Sequence, residues 1–144
     1  MARTKLQPPP HCLFSTEIPI RINDINYGGH LGNDAVLSII HDARLQFLSS
    51  LGYSELDIEG ATIMMTDAVI VYKSEGFYGD ILTVEVGAMD FQSTNCDIFF
   101  LLTNKKTGKE IARAKTGIVF INRQTRKIIS IPDAFRKKCN KTGL

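Results

Sequence analysis

The sequence predicts an α+β domain in which one long helix packs against a curved antiparallel sheet of about five strands. Apolar residues recur at helical spacing in one long segment, whereas the segments on both sides alternate between apolar and polar residues. The 144 residues, 44% hydrophobic and 22% charged, are typical of one domain with a proper core. We expect this domain over residues 14–144, after a flexible N-terminal arm, 1–13, whose prolines favour extended backbone.

The first strand and the helix follow from the period of their apolar residues. Residues 14–22 alternate in polarity, and Pro19 is tolerated there only if the strand lies at a sheet edge or is locally unpaired. A helix of about five turns, roughly 28 Å long, is predicted between Asp34 in its first turn and Gly52 as its C-terminal cap. Residues 53–58 are expected to add a short helical piece. The helical stripe consists of Val36, Ile39, Ile40, Ala43, Phe47 and Leu51.

Four further strands are predicted beyond Gly60. Glycine-containing or polar turns separate them, and the connections are short enough for an antiparallel meander. Ile131-Pro132 then leads into a short C-terminal helix. The predicted strands cover residues 61–74, 81–91, 95–104 and 110–122.

Charge, cysteines and hydropathy argue against several classes of protein. The formal net charge of +2 is too small to indicate nucleic-acid binding, and the basic cluster of residues 136–138 and Lys141 is read as a solvated end. Three cysteines without a Cys-x-x-Cys pair favour neither zinc binding nor disulfide exchange and suit a reducing cytoplasm. No apolar run approaches the roughly 20 residues that span a bilayer, and the N-terminus lacks the apolar segment of a signal peptide. We expect a cytoplasmic protein without a membrane partner.

A glycine-rich polar turn, residues 24–34, opens the long helix and is the predicted reaction site. The first N–H groups of a helix have no partner within it, and the helix dipole favours negative charge there. Glycines permit unusual backbone conformations and close approach of a ligand. Asn26 and His30 add an amide and a side chain that titrates near neutral pH. This combination is suited to stabilising an oxyanion.

The turn and a second segment resemble the hot-dog-fold thioesterases of the 4-hydroxybenzoyl-CoA thioesterase type. That family commonly reads Asp-x-Asp-x-x-Gly-His-x-x-Asn at the turn and Tyr-x-x-Pro-x-x-x-Gly-Asp further on. Here Asn26 replaces the second aspartate and Glu75 replaces the proline. Each of the two segments alone is a weak signal of the family, but the two together are fairly specific. The matching residues are Asp24, Asn26, Gly29, His30 and Asn33, followed by Tyr72, Gly79 and Asp80.

The resemblance implies hydrolysis of acyl-CoA or acyl-carrier thioesters, with roles for four residues of the turn. His30 is expected to be the general base and Asn26 to orient water or thioester, since an amide is neither nucleophile nor base. Asn33 matches the position whose backbone N–H faces the thioester oxygen. Asp24 either holds His30 or bonds to the turn, and the second role is favoured. For His30 and Asn26 the competing interpretation is a structural side chain that only holds the turn.

Several other residues are weaker candidates. Coenzyme A carries phosphates, so cations are needed, and the candidates are Lys73, Arg113, Arg123 and also Lys115. Any soluble strand face supplies such residues as well. Residues 99–102 either line an acyl pocket or form a buried strand. The helix segment His41-Asp42-Ala43-Arg44 resembles an acidic-acidic-Ala-Arg segment of the family, with Arg44 expected to stabilise the fold, and Asp67 is ambiguous.

The resemblance also implies the assembly and the overall architecture. It implies a homodimer or a dimer of dimers with active sites at the subunit boundary, and a helix nearly enclosed by the sheet, which would explain why Leu37 and Leu45 are apolar. No metal or redox cofactor is required, because CoA is part of the substrate.

Two other functions compete with thioester hydrolysis. A hot-dog enoyl-thioester hydratase motif reads Asp-x-Asn-Pro-x-His, but here Asp24 and His30 are one residue further apart and no proline follows Asn26. A non-catalytic module that binds acyl chains or a carrier protein is the third class, and the missing aspartate makes it credible.

Overall fold

A computed structural model describes residues 4–140 and shows one five-stranded antiparallel sheet with a long helix and a short one. The strands lie in the order β1-β3-β4-β5-β2, so β1 and β2 are the edges. This confirms the predicted fold class. The elements are β1 (Phe14–Pro19), α1 (Asn33–Ser50), β2 (Ala61–Tyr72), β3 (Ile81–Met89), β4 (Asn95–Asn104), β5 (Glu110–Asn122) and α2 (Asp133–Asn140).

The predicted bounds of β4, β5 and the long helix agree closely with the structure, and the short C-terminal helix is present, but three expectations about connections and ends are wrong. β1 stops at Pro19, because Ile22–Asp24 form a short 3-10 turn. Residues 53–58 contain turns and isolated bridges instead of a helical piece. The four later strands are not a simple meander, because β2 pairs with β5 over its whole length. Residues 73–80 therefore carry the chain from an edge strand to the inner strand β3, past the start of α1.

The core lies between α1 and the sheet. Buried side chains of the helix stripe, such as Ile40 and Phe47, meet inward residues of the strands, such as Val84 and Phe100, which are all almost completely buried. Burying one side chain of this kind stabilises the fold by about 1.5–3 kcal/mol. The alternation along β4, in which Ile98, Phe100 and Leu102 are buried on one face, is what fixes its register against the helix.

The helix is less enclosed than expected. Leu37 is 47% exposed and Leu45 is 41% exposed, because the sheet covers only one face of α1. A groove beside that open face runs between α1 and β2, and the exposed Met65 lines it together with Leu37. β2 is an edge strand of twelve residues whose outer side has no partner strand within residues 4–140. An apolar helix face and an unpaired sheet edge thus lie next to each other.

Residues 4–13 lie across the outer face of the sheet, the face turned away from α1. Pro9 packs so closely on Gly87 that a Cβ atom there would lie 2.6 Å from the proline Cγ, and Arg113 Nη1 donates a hydrogen bond of 2.9 Å to the Leu6 carbonyl. Phe99, which is opposite Gly87 on the outer face, is only 2% exposed. The arm therefore covers an apolar patch, and its flexibility stays a prediction. Residues 1–3 of the arm, and Lys141 of the basic cluster, lie outside the described residues.

Neither helix within residues 4–140 is long and apolar enough to cross a membrane.

Candidate active site

The turn before α1 is anchored by Asp24. Its carboxylate is buried, with one oxygen accepting the backbone N–H of Arg21 at 2.9 Å and the other 3.5 Å from the Arg21 guanidinium. Its carbonyl oxygen accepts the N–H of Gly32 at 2.9 Å, which closes the turn at the helix start. Both carboxylate oxygens of Asp24 therefore contact Arg21, and its backbone carbonyl is the group that holds the turn.

Asn26 organises the interior of the turn. Its Oδ1 accepts the backbone N–H of Gly28 at 2.9 Å and that of His30 at 3.3 Å. Its own N–H donates to the His30 carbonyl at 2.9 Å, and its carbonyl accepts from Gly29, whose φ of 87° suits glycine. These bonds fix the orientation of the amide, and Nδ2 donates to no group within residues 4–140. That N–H pair is free to face a ligand.

The imidazole of His30 is held between three neighbours. Nε2 lies 3.8 Å from Glu75 Oε1, and the ring meets the edge of Phe77 with 6.5 Å between centroids. Gly28 lies against the ring, because a Cβ at that position would be 3.3 Å from Nε2. The side chain remains 35% exposed, so a substrate and water can reach it.

The start of α1 presents unpaired backbone donors. Gly32 is the N-cap residue in extended conformation, and no side chain caps the helix. Among the described residues no group accepts a hydrogen bond from the N–H of Asn33 or of Asp34. Tyr72 Oη donates to the Asn33 carbonyl at 3.3 Å, which ties the end of β2 to the helix start. Free N–H groups at the positive end of the helix dipole are suited to binding an oxyanion.

One cavity of about 240 Å³ joins the histidine to the helix start. His30 and Asn33 line it from the helix side, and Lys73 and Glu75 line it from the connection between β2 and β3. Three predicted site residues, His30, Asn33 and Lys73, therefore meet here, with Asn26 in the adjoining turn. Sequence reasoning did not select Glu75, although a carboxylate in place of the family's proline was a usable signal.

The structure does not bring the two candidate arginines to this cavity within one chain. Arg113 lies on the outer face of the sheet and pairs with Glu110, and a hydrogen bond to Glu110 raises its pKa. Arg123 follows the far end of β5, where it lies 3.9 Å from Asp57. The two ends of β5 lie about 40 Å apart at the usual rise per strand residue, so Arg123 is far from the end of β5 that lines the cavity.

The remaining candidates have structural contacts. Arg44 is buried, with Nε donating to Glu55 at 2.6 Å and Nη1 to Thr116 at 3.4 Å, as expected for a residue that stabilises the fold. Asp67 accepts the Gly117 N–H at 3.1 Å and a hydrogen bond from Lys115, and the latter lowers the pKa of Asp67. The run of residues 99–102 is part of β4, and none of its members lines the cavity beside His30.

Comparison with known proteins identifies the family. The thioesterase-like superfamily matches residues 20–139, which is most of the chain. This chain belongs to the thioesterase-like superfamily. The match confirms the predicted family resemblance and the predicted class of enzyme, a thioesterase. No curated protein matches the chain significantly.

Solved structures of the same architecture include several thioesterases. A 1,4-dihydroxy-2-naphthoyl-CoA thioesterase from Synechocystis is similar with a TM-score of 0.82 and 20% identity, over 91% of this chain and 98% of the other. A DHNA-CoA thioesterase from Staphylococcus aureus is 26% identical with a TM-score of 0.75, over 85% and 88%. A Staphylococcus aureus protein solved in complex with CoA is 22% identical with a TM-score of 0.78, over 92% and 85%. The likeness confirms the hot-dog fold.

Proposed function

We propose that this member of the thioesterase-like superfamily hydrolyses acyl-CoA or acyl-carrier thioesters by attack of water at the start of α1. The observation that carries the proposal is the cavity lined by both His30 and Asn33, the residue whose unpaired backbone N–H lies at the helix start. Thioester hydrolysis needs these two functions, a base for water and donors for the oxyanion.

The reaction follows from the atoms present. His30 takes a proton from water as the water oxygen bonds to the thioester carbon, and the carbonyl oxygen becomes an oxyanion. The helix-start N–H groups bind that oxyanion, and one such preorganised donor contributes about 3 kcal/mol to transition-state stabilisation. The C–S bond then breaks, and the imidazolium returns the proton to the leaving thiolate. The products are a carboxylic acid and a free thiol.

Asn26 cannot form a covalent acyl intermediate, because an amide is not a nucleophile of this kind. Its Oδ1 is occupied by backbone donors, so Nδ2 is the group that faces outward. We assign to this N–H pair the orientation of the thioester or of the attacking water. This role explains how the site works without the aspartate that related thioesterases carry at this position.

Recognition of the CoA part is assigned first to Lys73, which lines the cavity. A lysine is a suitable point charge for a phosphate. Arg113 and Arg123 lie away from His30 of the same chain, so they contact a substrate only if a second subunit presents them. The naphthoyl-CoA thioesterase and the CoA complex among similar structures support a CoA thioester as substrate.

A homodimer with active sites near the boundary is the proposed assembly. The unpaired edge of β2 can add a strand, and the exposed Leu37, Leu45, Met64 and Met65 supply apolar surface beside it. Further pairing into a dimer of dimers stays open. Sedimentation velocity at micromolar concentration distinguishes these states, and a monomer would contradict the proposal.

A cytoplasmic location is proposed from the state of the cysteines. Cys12 is exposed, Cys96 and Cys139 are buried, and all three are free thiols. Free thiols persist in reducing compartments.

The test is steady-state thiol release from a panel of short, long and aromatic acyl-CoAs, with one acyl-carrier substrate. Release, with the free acid as the other product, supports the proposal and identifies the preferred acyl group. His11→Ala is a matched control for histidine variants, because His11 lies in the arm on the outer face. A hydrated acyl product would indicate a hydratase, and binding without product would indicate a binding module.

A further inference from the structure

Glu75 is the one carboxylate among the described residues that line the cavity beside His30. Two other acids of the region, Asp24 and Asp80, are engaged in other contacts. Asp24 is buried against Arg21, and Asp80 accepts the backbone N–H of Phe77 at 2.9 Å. With Asn26 in place of an aspartate, Glu75 is the negative charge that faces the imidazole, at 3.8 Å.

The backbone on both sides of Glu75 is fixed in place. Ser74 donates its N–H to the Ile111 carbonyl at 3.2 Å and its hydroxyl to the Glu110 carbonyl at 2.6 Å. On the other side, the carbonyl of Gly76 accepts the N–H of Leu31, the residue after His30, at 2.7 Å. These contacts hold the connection between β2 and β3 against the turn that carries the histidine.

The tight contact at Gly76 shows how close the two segments lie. A Cβ atom there would be 2.8 Å from Ile20 Cδ1 and 3.4 Å from Leu31 Cβ. Only a residue without a side chain permits this approach without a shift of its neighbours. The position of Glu75 beside His30 is therefore built into the packing of the connection, although the carboxylate itself is 63% exposed.

We propose that Glu75 is a positioning residue that acts through His30, as the counter-charge of the imidazolium formed during hydrolysis. The proposal rests on the proposed function. When the imidazole takes the proton from water, the ring becomes positive beside the carboxylate. The proton passes from His30 to the thiolate as the C–S bond breaks, and Glu75 takes no part in its transfer. An opposite charge within about 4–6 Å of a histidine favours its charged form.

The experiment compares Glu75→Gln and Glu75→Asp with wild type in steady-state thiol release. Glutamine keeps the shape and removes the charge, whereas aspartate keeps the charge. We expect Glu75→Gln to lower kcat by about 10–100-fold, less than the full contribution of a general base, with KM changed less than about threefold. Glu75→Asp should retain more activity than Glu75→Gln. Glu17→Gln is the matched control, since Glu17 on β1 is 52% exposed and pairs with Lys105 in the turn after β4.

A second background shows whether Glu75 acts through the histidine. In single turnovers with enzyme in excess, Glu75→Gln should change the rate of the His30→Ala variant by less than about twofold, because the charge has no imidazolium to face. The proposal would be overturned if Glu75→Gln kept the wild-type kcat or changed only KM. It would also be overturned if Glu75→Gln and Glu75→Asp lost activity equally, or if Glu75→Gln lowered the rate of His30→Ala as much as it lowers that of the wild type. Absence of thiol release by the wild-type protein would instead refute the proposed function.

Discussion

Asn26 offers a substitution series that separates stability from catalysis. Its Oδ1 accepts two backbone hydrogen bonds, from Gly28 at 2.9 Å and His30 at 3.3 Å, while Nδ2 faces outward. Asn26→Ala removes both acceptor contacts. Asn26→Asp keeps an oxygen in the acceptor position and replaces the Nδ2 donor with a second oxygen. The two variants should therefore behave differently in folding and alike in turnover.

The magnitudes follow from these contacts. Each intramolecular hydrogen bond contributes about 0.5–1.5 kcal/mol net, so Asn26→Ala, which removes two, should lower the free energy of unfolding by about 1–3 kcal/mol. In a domain of this size that corresponds to a Tm lower by roughly 3–12 °C. Asn26→Asp should stay within about 0.5 kcal/mol of wild type, because the acceptor is retained. Loss of the donor should lower kcat in both variants by about 10–100-fold, below the usual effect of removing an oxyanion donor.

The assays are urea unfolding followed by circular dichroism and thiol release from the best acyl-CoA. Asn26→Asp is the decisive variant, since it separates the oxygen from the amide nitrogen. Unchanged or increased turnover in that variant would show that Nδ2 is not used, and would refute the assigned role. Equal stability of Asn26→Ala and wild type would refute the anchoring of the turn by Oδ1.

Three further predictions concern the fold and its thiols. A thiol reagent should modify Cys12 alone in the folded protein and all three cysteines in denaturant. Burial raises the pKa of the Cys96 thiol and raises the pKa of the Cys139 thiol to about 12, so neither reacts while the protein is folded. Gly87→Val should force Pro9 off the outer face and make the arm more sensitive to protease, with limited proteolysis as the assay. Lys115 lowers the pKa of Asp67, so this carboxylate stabilises the fold above its unfolded pKa and the benefit disappears as pH falls through the folded value. In urea unfolding, Asp67→Asn should therefore be less stable than wild type at pH 7, by under about 1 kcal/mol, and the difference should vanish in acid.

The order of elements was predictable from local pattern alone. Lys105–Gly108 is a turn rich in polar residues and glycine, and the bounds of β4 and β5 on its two sides match the prediction. Pro19 indicated that β1 is either an edge strand or locally unpaired, because proline lacks the N–H that an inner strand needs, and the structure shows the first. Signals of this kind depend on neighbours in the sequence, so they can be read from the chain.

Long-range arrangement was not accessible in the same way. The spacing of β2 and β3 gives the length of their connection and does not say which strand β2 joins, which is why a meander was predicted where β2 pairs with β5. The exposure of Leu37 on the helix likewise depends on how far the sheet extends around α1.

The site was predictable in part for the same physical reason. The turn that carries Asn26 and His30 is local in sequence, whereas Glu75 lies 45 positions after His30 and reaches it only through the packing of Gly76 against Leu31. No periodic pattern in the neighbouring sequence predicts such a contact. The family pattern marked position 75 as a departure, but only the structure shows which group the carboxylate faces.

The most direct test of thioester hydrolysis at the start of α1 is the ratio of kcat for wild type and His30→Ala on the best acyl-CoA of the panel. A general base contributes about 10²–10⁴-fold, so we predict a loss in that range, with His11→Ala equal to wild type and the Tm of His30→Ala close to that of wild type. Thiol release by His30→Ala at the wild-type rate would contradict the account.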